Sequence, residues 1–266
     1  NFNIKAKKTR ILLAPLDWGL GHATRCVPLI KELLNQEAEV IIAAEGAVQQ
    51  LLRQEFPQLQ FVHLPGYRIR YSRSRRGLIA AMLRQVPRIL LSIYREKKWL
   101  KKNAALLTID AVISDNRYGL HHPGIPCIFI THQLQIQTGN AFSDRILQKI
   151  NYRHINRFRQ CWIPDAAGEY NLAGRLSHPE QWPQIPVQYL GPLSRLEKKE
   201  AALQYDLCIL VSGPEPQRSV FEKMMLEQLE TFSGKALLIR GLPGNEEVPG
   251  INNPGISIRN HLTADE

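Results

Sequence analysis

The sequence predicts an α/β fold of two doubly wound, parallel-sheet domains, of which the second is incomplete. Short β-branched strands alternate with amphipathic stretches of helical length, a Gly- and Pro-rich break interrupts this pattern at 165–195, and the pattern then begins again. Strands that alternate with helices pair in parallel beneath helices on both faces. A length of 266 residues also exceeds that of most single domains. We therefore expect two sheets joined by one connection.

The first domain is predicted to cover 1–164 and to contain six strands. RILLAP (10–15) comes first, and a glycine loop and a helix at 23–36 follow it. The later strands are VIIAA (40–44), FVHL (61–64), AVIS next to Asp115, CIFIT (127–131) and CWIP (161–164), with helices at 47–55 and 143–158. Because crossovers are right-handed, the loops after these strands should line one edge of the sheet, where ligands bind.

Residues 165–195 hold no long periodic element, so they are predicted to connect the two domains. The second domain, 196–266, shows only three strands and one helix: DLCILV (206–211), a helix near 218–230, ALLIR (236–240) and GISIR (255–259). Three strands would leave an open sheet edge and an under-filled core. We therefore expect this domain to be truncated in the present sequence.

Positive charge is concentrated in one segment. The net charge is +10, but 67–102 holds twelve Lys or Arg against one acid, a balance of +11, so the remainder nets −1. Apolar residues recur there at helical spacing, at Ile79, Leu83, Val86, Leu90, Ile93 and Tyr94. Pro87 is expected to kink or split the helix. A solvated helix, a surface for anionic lipid and a nucleic-acid surface are the alternatives. The absence of reader motifs argues against nucleic acid.

Composition excludes several other classes. A hydrophobic content of 44% with 22% charged residues is typical of a globular protein. No apolar run approaches the roughly 20 residues of a membrane-spanning helix, and the first residues do not resemble a signal peptide. The four cysteines are far apart, with Cys127 and Cys208 inside apolar strands. This pattern favours reduced, buried thiols in the cytoplasm over disulfides or a metal site.

The loop DWGLGH after the first strand contains the main candidate site. Gly19 and Gly21 allow a tight turn and a close approach to a ligand, and the helix that follows offers N–H groups to an anion. The dinucleotide fingerprint is not met. His22 is suited to accept a proton or to hold a phosphate. Asp17 could orient this imidazole or cap a turn, and a glycine turn with a packing role alone is the alternative.

Several longer segments resemble a known family in the same order along the chain. They are LAPLDWGLGHATRCVPLIKEL, ISDNRYGL, IPCIFITHQLQIQTG, YLGPLSR and CILVSGPEPQRSVFEKMML. They resemble GT-B glycosyltransferases related to the bacterial enzyme that adds N-acetylglucosamine to lipid-linked peptidoglycan precursors. The resemblance implies two facing Rossmann-like domains that transfer a sugar from a nucleotide-diphosphate sugar, such as a UDP-sugar, to a hydroxyl acceptor, with lipid-linked acceptors among the candidates. It also implies a protein at the inner face of the membrane, without a required metal or other cofactor.

Two alternatives remain open at this point. GHATRC also resembles a nucleotide-sugar hydrolase of pseudaminic acid synthesis, which would use His22 to activate water. A non-catalytic protein that docks on membrane or nucleic acid through 67–102 is the alternative from another class.

On the acceptor side, the candidate residues follow the fourth and fifth strands. Asp115 can serve as a base, as a positioning group or as a cap. Asn116 lies beside it at the ligand-binding edge. The family pattern places His132 and Gln133 at the acceptor, whereas His121 and His122 are expected to be turn residues.

On the donor side, the candidate residues begin with Ser212 and Gly213 at a strand end and Gln217 and Arg218 at the next helix. Backbone N–H groups beside a guanidinium suit a diphosphate, with a solvated first-turn arginine as the alternative. Arg240 ends the next strand in a similar position. The family pattern places His261 at the base of the nucleotide. No DxD-type carboxylate pair indicates a metal.

Overall fold

The computed structural model describes residues 7–68, 78–196, 198, 200, 202–213 and 215–263, and the side chains of 78–84 lie outside that description. Within it the chain forms two parallel sheets with helices packed against them. The predicted positions 69–77 and the side chains of Ile79 and Leu83 lie outside the described residues. No helix of the described part is long and apolar enough to cross a membrane.

The larger sheet has seven strands in the order β3-β2-β1-β4-β5-β6-β7. They are β1 (Arg10–Pro15), β2 (Glu39–Ala44), β3 (Gln60–His63), β4 (Ala111–Asp115), β5 (Cys127–Ile130), β6 (Gln160–Ile163) and β7 (Val187–Tyr189). Every neighbouring pair is parallel. The strand order reverses between β1 and β4, where Pro15 lies opposite Asp115. Such a reversal opens a crevice at the carboxyl ends of the strands, which is where ligands bind in this architecture.

Two helices cover each face of this sheet. On one face, α1 (Leu20–Asn35) and α2 (Gly46–Glu55) bury apolar residues such as Val27 and Leu51 against β1 and β2. On the other face, α3 (Leu78–Leu106) and α4 (Ala141–Ile155) share an apolar core with β4, β5 and β6. Both cores are continuous because fully buried parallel strands present apolar side chains on both faces.

The smaller sheet has three parallel strands in the order β10-β9-β8. They are β8 (Leu207–Leu210), β9 (Ala236–Ile239) and β10 (Ile256–Arg259), and α5 (Gln217–Leu229) packs against them. Cys208 is exposed, contrary to the prediction, because β8 is an edge strand with little cover; Cys26, Cys127 and Cys161 are buried.

One feature of the large domain differs from the prediction, and a second decides between two predicted alternatives. The three-residue strand β7 lies inside the segment predicted as the connection, and it forms the last strand of the large sheet. It is too short to produce a periodic pattern in the sequence. α3 continues from Leu78 to Leu106 although Pro87 lies inside it, so the helix is not split. Its buried face contains Ile93, Leu100 and Ala104, together with Glu96.

A buried ion pair holds the ligand-binding edge of the large sheet together. The Arg117 side chain is 0% exposed, and its Nε donates to Glu96 Oε1 at 2.7 Å. The guanidinium also donates to the carbonyls of Pro15 and Pro65. Glu96 Oε2 accepts from the Tyr67 hydroxyl at 3.0 Å and from Gly119 N–H at 2.9 Å. One pair therefore joins the ends of β1 and β4, the loop after β3, and α3.

The carboxyl of Glu96 is costly to bury and is stabilised by its partners. Burial raises the pKa of Glu96, and the charge and hydrogen bonds of Arg117 act against that rise. Gly119 is required beside the pair, because an added Cβ would lie 2.2 Å from the Ile93 carbonyl oxygen and 2.5 Å from Glu96 Cβ. Both members of the pair thus depend on close packing by their surroundings.

We expect Glu96→Gln to lower the free energy of unfolding by about 3 kcal/mol, because it leaves the Arg117 charge buried without its counterion. Urea denaturation monitored by circular dichroism measures this loss. Glu227→Gln is the matched control: its carboxylate is 64% exposed and lies 3.9 Å from Lys223, so the change should stay below about 0.5 kcal/mol. Equal losses for both variants would contradict a special role for the buried pair.

Candidate functional site

Four polar side chains meet at the crevice between β1 and β4. His22 and Arg25 lie one turn apart on α1, Asp115 ends β4, and His132 follows β5. His22 Nδ1 lies 2.9 Å from Asp115 Oδ2, and Arg25 Nε donates to the same oxygen at 3.0 Å. Arg25 Nη2 contacts Asp115 Oδ1 and lies 2.6 Å from His22 Nδ1. Arg25 Nη1 lies 3.1 Å from His132 Nδ1. The structure therefore brings Asp115 to the imidazole of His22.

The charges of this cluster define the state of each group. Burial raises the pKa of Asp115, but the charges of His22 and Arg25 outweigh it, so the pKa lies below its ordinary value and Asp115 is a carboxylate at neutral pH. Burial lowers the pKa of His132, and Arg25 and His22 lower it further, so His132 is neutral. Because a guanidinium only donates hydrogen bonds, His132 Nδ1 accepts from Arg25 and the proton lies on Nε2.

Asp17 does not contact His22. Its carboxylate accepts from the backbone N–H of Tyr67 at 2.8 Å and of Arg68 at 3.0 Å. Gly66 makes this contact possible, because an added Cβ would lie 2.1 Å from Asp17 Oδ2. Asp17 therefore does not orient His22, as one prediction had it. It joins the loop after β1 to the loop after β3 through these hydrogen bonds.

The predicted acceptor residues lie at the ends of two neighbouring strands. Asp115 and Ile130 are in register, so Asn116 and His132 follow adjacent strand ends. Asn116 has a φ of 59°, a left-handed conformation that asparagine tolerates better than most residues. Its buried Oδ1 has no hydrogen-bond partner among the residues described. The backbone carbonyl of Gln133 accepts from Asn151 Nδ2 at 3.2 Å, so this part of Gln133 has a structural role.

A cleft of about 280 Å³ lies between the two sheets. Gly19 and Leu20 line it from the first domain, and Gly213 and Gly241 line it from the second. Gly19 has a φ of +101° and Gly213 a φ of +118°, and an added Cβ would meet nothing within 4 Å at either position. Glycine is therefore required there by the backbone conformation and not by a lack of space for a side chain. Gly21 and Ser212 are not among the residues that line this cleft.

The predicted diphosphate position contains a carboxylate of the protein itself. Glu215 Oε1 accepts from Arg218 Nε at 2.6 Å, and Oε2 accepts from Ser219 N–H at 3.3 Å near the start of α5, next to Gln217. The guanidinium of Arg218 also contacts Glu222 and donates to the Arg240 carbonyl at 3.1 Å. Arg218 lines the cleft, but its charge is matched by protein carboxylates.

Glu222, which the sequence did not single out, connects the predicted cations of the second domain. Its Oε1 accepts from Arg240 Nε at 2.6 Å, and its other oxygen accepts from Arg218. Arg240 Nη1 also donates to Asn260 Oδ1 at 2.6 Å. Both arginines thus support the loops after β9 and β10. Arg218 and Glu222 are buried on α5, so the buried face of this helix is partly polar.

Arg195, the last residue of the predicted connection, contacts both domains. Its Nη1 donates to Glu55 Oε1 at 2.7 Å, at the end of α2, and to the carbonyl of Leu262 at 3.1 Å. His261, the predicted contact to the nucleotide base, precedes Leu262 in the chain and lies two residues after the end of β10. Arg195 therefore contacts both the first domain and the end of the second.

Two functional elements of the cluster were not identified from the sequence: Arg25 and the pairing of His22 with Asp115. Two signals were available for Arg25: its place in the GHATRC string, and its position three residues after His22, which places both on one side of a helix. No such signal existed for the pairing, because 93 residues separate its members. Within the described ranges, no group of three or more His, Cys, Asp or Glu side chains could hold a metal ion.

Two parallel-sheet domains that face each other across a glycine-lined cleft, joined by a hinge, have the GT-B fold of glycosyltransferases, and the predicted fold is confirmed. The spinosyn rhamnosyltransferase SpnG complexed with thymidine diphosphate aligns with a TM-score of 0.53 and 14% identity, over 87% of this chain and 65% of SpnG. Arabidopsis thaliana UGT89C1 complexed with UDP-L-rhamnose aligns with a TM-score of 0.53 and 13% identity, over 95% of this chain and 70% of that protein.

The glycosyltransferase SnogD from Streptomyces nogalater aligns with a TM-score of 0.50 and 14% identity, over 97% of this chain and 74% of SnogD. The chain thus spans between 65% and 74% of the length of these three neighbours. MurG from Acinetobacter baumannii is matched at 14% identity and a TM-score of 0.41. No protein-family model and no curated protein sequence matches the chain.

We expect Glu215→Gln to strengthen the binding of inorganic pyrophosphate by about threefold to tenfold, because it removes a negative charge from the start of α5 and releases Arg218. Isothermal titration calorimetry measures the two dissociation constants. Glu227→Gln, on the exposed side of the same helix, removes the same charge away from the cleft and should leave the affinity within twofold. Unchanged affinity in Glu215→Gln would show that anions do not bind at this helix start.

Proposed function

We propose that this protein transfers a sugar from a nucleotide-diphosphate sugar to a hydroxyl group of an acceptor. The observation that carries the proposal is the contact of His22 with the buried carboxylate of Asp115, at the strand-order reversal and beside the glycine-lined cleft. The GT-B fold supports it, as does the presence of thymidine diphosphate and UDP-L-rhamnose in two solved neighbours. A UDP-sugar is therefore our first candidate donor.

The proposed mechanism uses His22 as the general base. This role requires Nδ1–H to donate to Asp115, so that Nε2 carries a lone pair that can accept the proton of the acceptor hydroxyl. Because a guanidinium only donates, Arg25 Nη2 must then turn away from Nδ1 and donate to Asp115 alone. The acceptor oxygen then forms a bond to the anomeric carbon of the sugar as the bond from that carbon to the diphosphate breaks. The nucleoside diphosphate leaves with the bonding electron pair. Asp115 stabilises the imidazolium, because its carboxylate stays ionised.

The donor is expected to lie in the cleft between the domains. Backbone N–H groups at the turns of Gly19 and Gly213 and at the start of α5 can stabilise the charge of the departing diphosphate. Displacement of the Glu215 carboxylate would release Arg218 for the same purpose. On the acceptor side, Asn116 and His132 offer a buried amide oxygen and a neutral imidazole next to the base.

We expect His22→Ala and Asp115→Asn each to reduce the turnover of a UDP-sugar by about 10²- to 10⁴-fold, the range typical of a lost general base. Calorimetry should show UDP binding within about threefold of that of the unmodified chain, since neither side chain lines the cleft. His122→Ala is the control. This histidine precedes β5, at the opposite end of the strands, and its Nδ1 accepts from Gly124 N–H.

Product analysis separates transfer from hydrolysis in the same assay. Sugar that becomes bonded to an acceptor supports the proposal. Free sugar released at the same rate with and without acceptors would identify a nucleotide-sugar hydrolase that uses His22 to activate water. Full activity in His22→Ala would remove the basis of both mechanisms.

We further propose that the protein acts in the cytoplasm at an anionic membrane surface, where a lipid-linked acceptor would be available. The support comes from the exposed side of α3, where Val86, Leu90, Leu91 and Tyr94 are 42% to 60% exposed. Cations accompany them at Arg88, Arg95, Lys98, Lys101 and Lys102. Apolar side chains between basic ones are the pattern of helices that lie at a lipid interface.

Flotation with vesicles that contain phosphatidylglycerol tests this surface. We expect binding of the unmodified chain, and a loss of at least about fivefold in a triple variant with Arg88→Gln, Arg95→Gln and Lys101→Gln. Vesicles of phosphatidylcholine alone should bind weakly. Equal binding of the triple variant would mean that α3 is a solvated helix.

A further inference from the structure

A second groove lies on the large domain, outside the cleft between the sheets. It has a volume of about 460 Å³ and lies between α4 and the loop that contains Gln181, Trp182 and Gln184. Three cations, Arg145, Lys149 and Arg153, line it from α4, and no acidic side chain does. None of the three has an ion-pair partner among the described side chains. Because residues four apart on a helix are separated by about 6 Å along its axis, they form one evenly spaced row.

The other lining groups match a carbohydrate better than a simple anion. Tyr152 and Trp182 provide two aromatic side chains, and Trp182 is 48% exposed. The Tyr152 hydroxyl donates to the Gln181 carbonyl, and Trp182 packs edge-on against Tyr189 at 6.4 Å between ring centroids. Both rings are therefore held in place. Exposed amides of Gln181 and Gln184 can exchange hydrogen bonds with hydroxyl groups, and aromatic faces can cover the apolar side of a sugar ring.

The loop after β5 leads from the predicted acceptor residue His132 toward the groove. A smaller cavity of about 210 Å³, lined by Gln135 and Ile136, shares Arg145, Gln148 and Gln181 with the groove. Gln148 joins α4 to the loop after β5. Its Oε1 accepts from Ile136 N–H at 2.8 Å, and its Nε2 donates to the Leu134 carbonyl. The same loop begins at His132, next to Arg25.

The connecting cavity contains two acids as well. Asp144 and Glu180 line it together with Arg145. Asp144 is used locally, because its Oδ1 accepts from the backbone N–H and the hydroxyl of Thr138. The uncompensated positive charge therefore lies in the larger groove, away from His132. A ligand that reaches both would carry its negative charge at the end distant from the reacting hydroxyl.

We propose that this groove binds an anionic oligosaccharide and holds the distal part of an extended, acidic glycan acceptor. That the bound glycan is an acceptor rests on the proposed function. That the groove binds a glycan rests on the groove alone. A single-stranded nucleic acid also binds through cations and aromatic rings, and its binding is therefore a separate outcome of the test. A lipid surface requires a convex face, whereas these residues line a concavity.

Calorimetry with the full chain tests the proposal, with tetragalacturonate as the probe and maltotetraose as its neutral counterpart. We expect tetragalacturonate to bind, and maltotetraose to bind at least about tenfold more weakly. A groove variant with Arg145→Gln, Lys149→Gln and Arg153→Gln should lose at least about tenfold in tetragalacturonate affinity. Trp182→Ala should lose about fivefold. A matched α3 variant, with Arg88→Gln, Arg95→Gln and Lys101→Gln, removes the same charge and should stay within twofold.

Several outcomes would overturn the inference. They are the absence of tetragalacturonate binding, equal losses in the groove and α3 variants, and tighter binding of ten-residue oligothymidylate or of phosphatidylglycerol vesicles that depends on the groove cations. Thermal denaturation of each variant shows that it is folded. The UDP affinity of the same samples distinguishes this inference from the proposed function. Binding of tetragalacturonate without binding of UDP would contradict only the proposed sugar transfer. Binding of UDP without binding of tetragalacturonate would contradict only the proposed glycan groove.

Discussion

The buried ion pair of Arg117 and Glu96 joins four parts of the large domain at the edge where the ligand site lies. Without it, the ends of β1 and β4, the loop after β3 and the middle of α3 would present carbonyl, hydroxyl and N–H groups without partners. A buried pair of this kind contributes little net stability compared with an apolar core, but the loss of one member is severe. The pair holds the end of β4 in place, and with it Asp115, which lies only two residues before Arg117.

Arg25 has the corresponding position within the cluster itself. Its guanidinium contacts Asp115, His22 and His132, and most of its N–H groups are used in these contacts. It is therefore better suited to position the other groups than to bind a substrate. By sharing Asp115 with His22, it also keeps the carboxylate ionised within a buried site. The imidazoles of His22 and His132 are thus both positioned by one cation, which lies within the GHATRC string but was not itself singled out from the sequence.

In the second domain the strand, turn and helix lie where they were predicted, but the partners of the charged side chains were not predicted. Gly213, Gln217 and Arg218 lie where a strand, a turn and a helix were predicted, and Gly213 and Arg218 line the cleft. Their chemistry suggested a diphosphate site. The structure adds Glu215 and Glu222, whose carboxylates match the charges of Arg218 and Arg240. Donor binding in this part would have to begin with the displacement of an internal anion.

The sequence by itself determined the order of strands and helices, the glycine loop before His22 and the division into two parallel sheets, because these follow from local periodicity and from the conformations that glycine permits. It did not predict β7, whose three residues carry no period, and it left open whether α3 is split at Pro87. Only the tertiary structure decided that Asp115, 93 residues away, and not Asp17, five residues away, meets His22. Hydrogen bonds between side chains depend on the strand order and on burial, which place distant residues side by side and leave neighbours in the sequence apart.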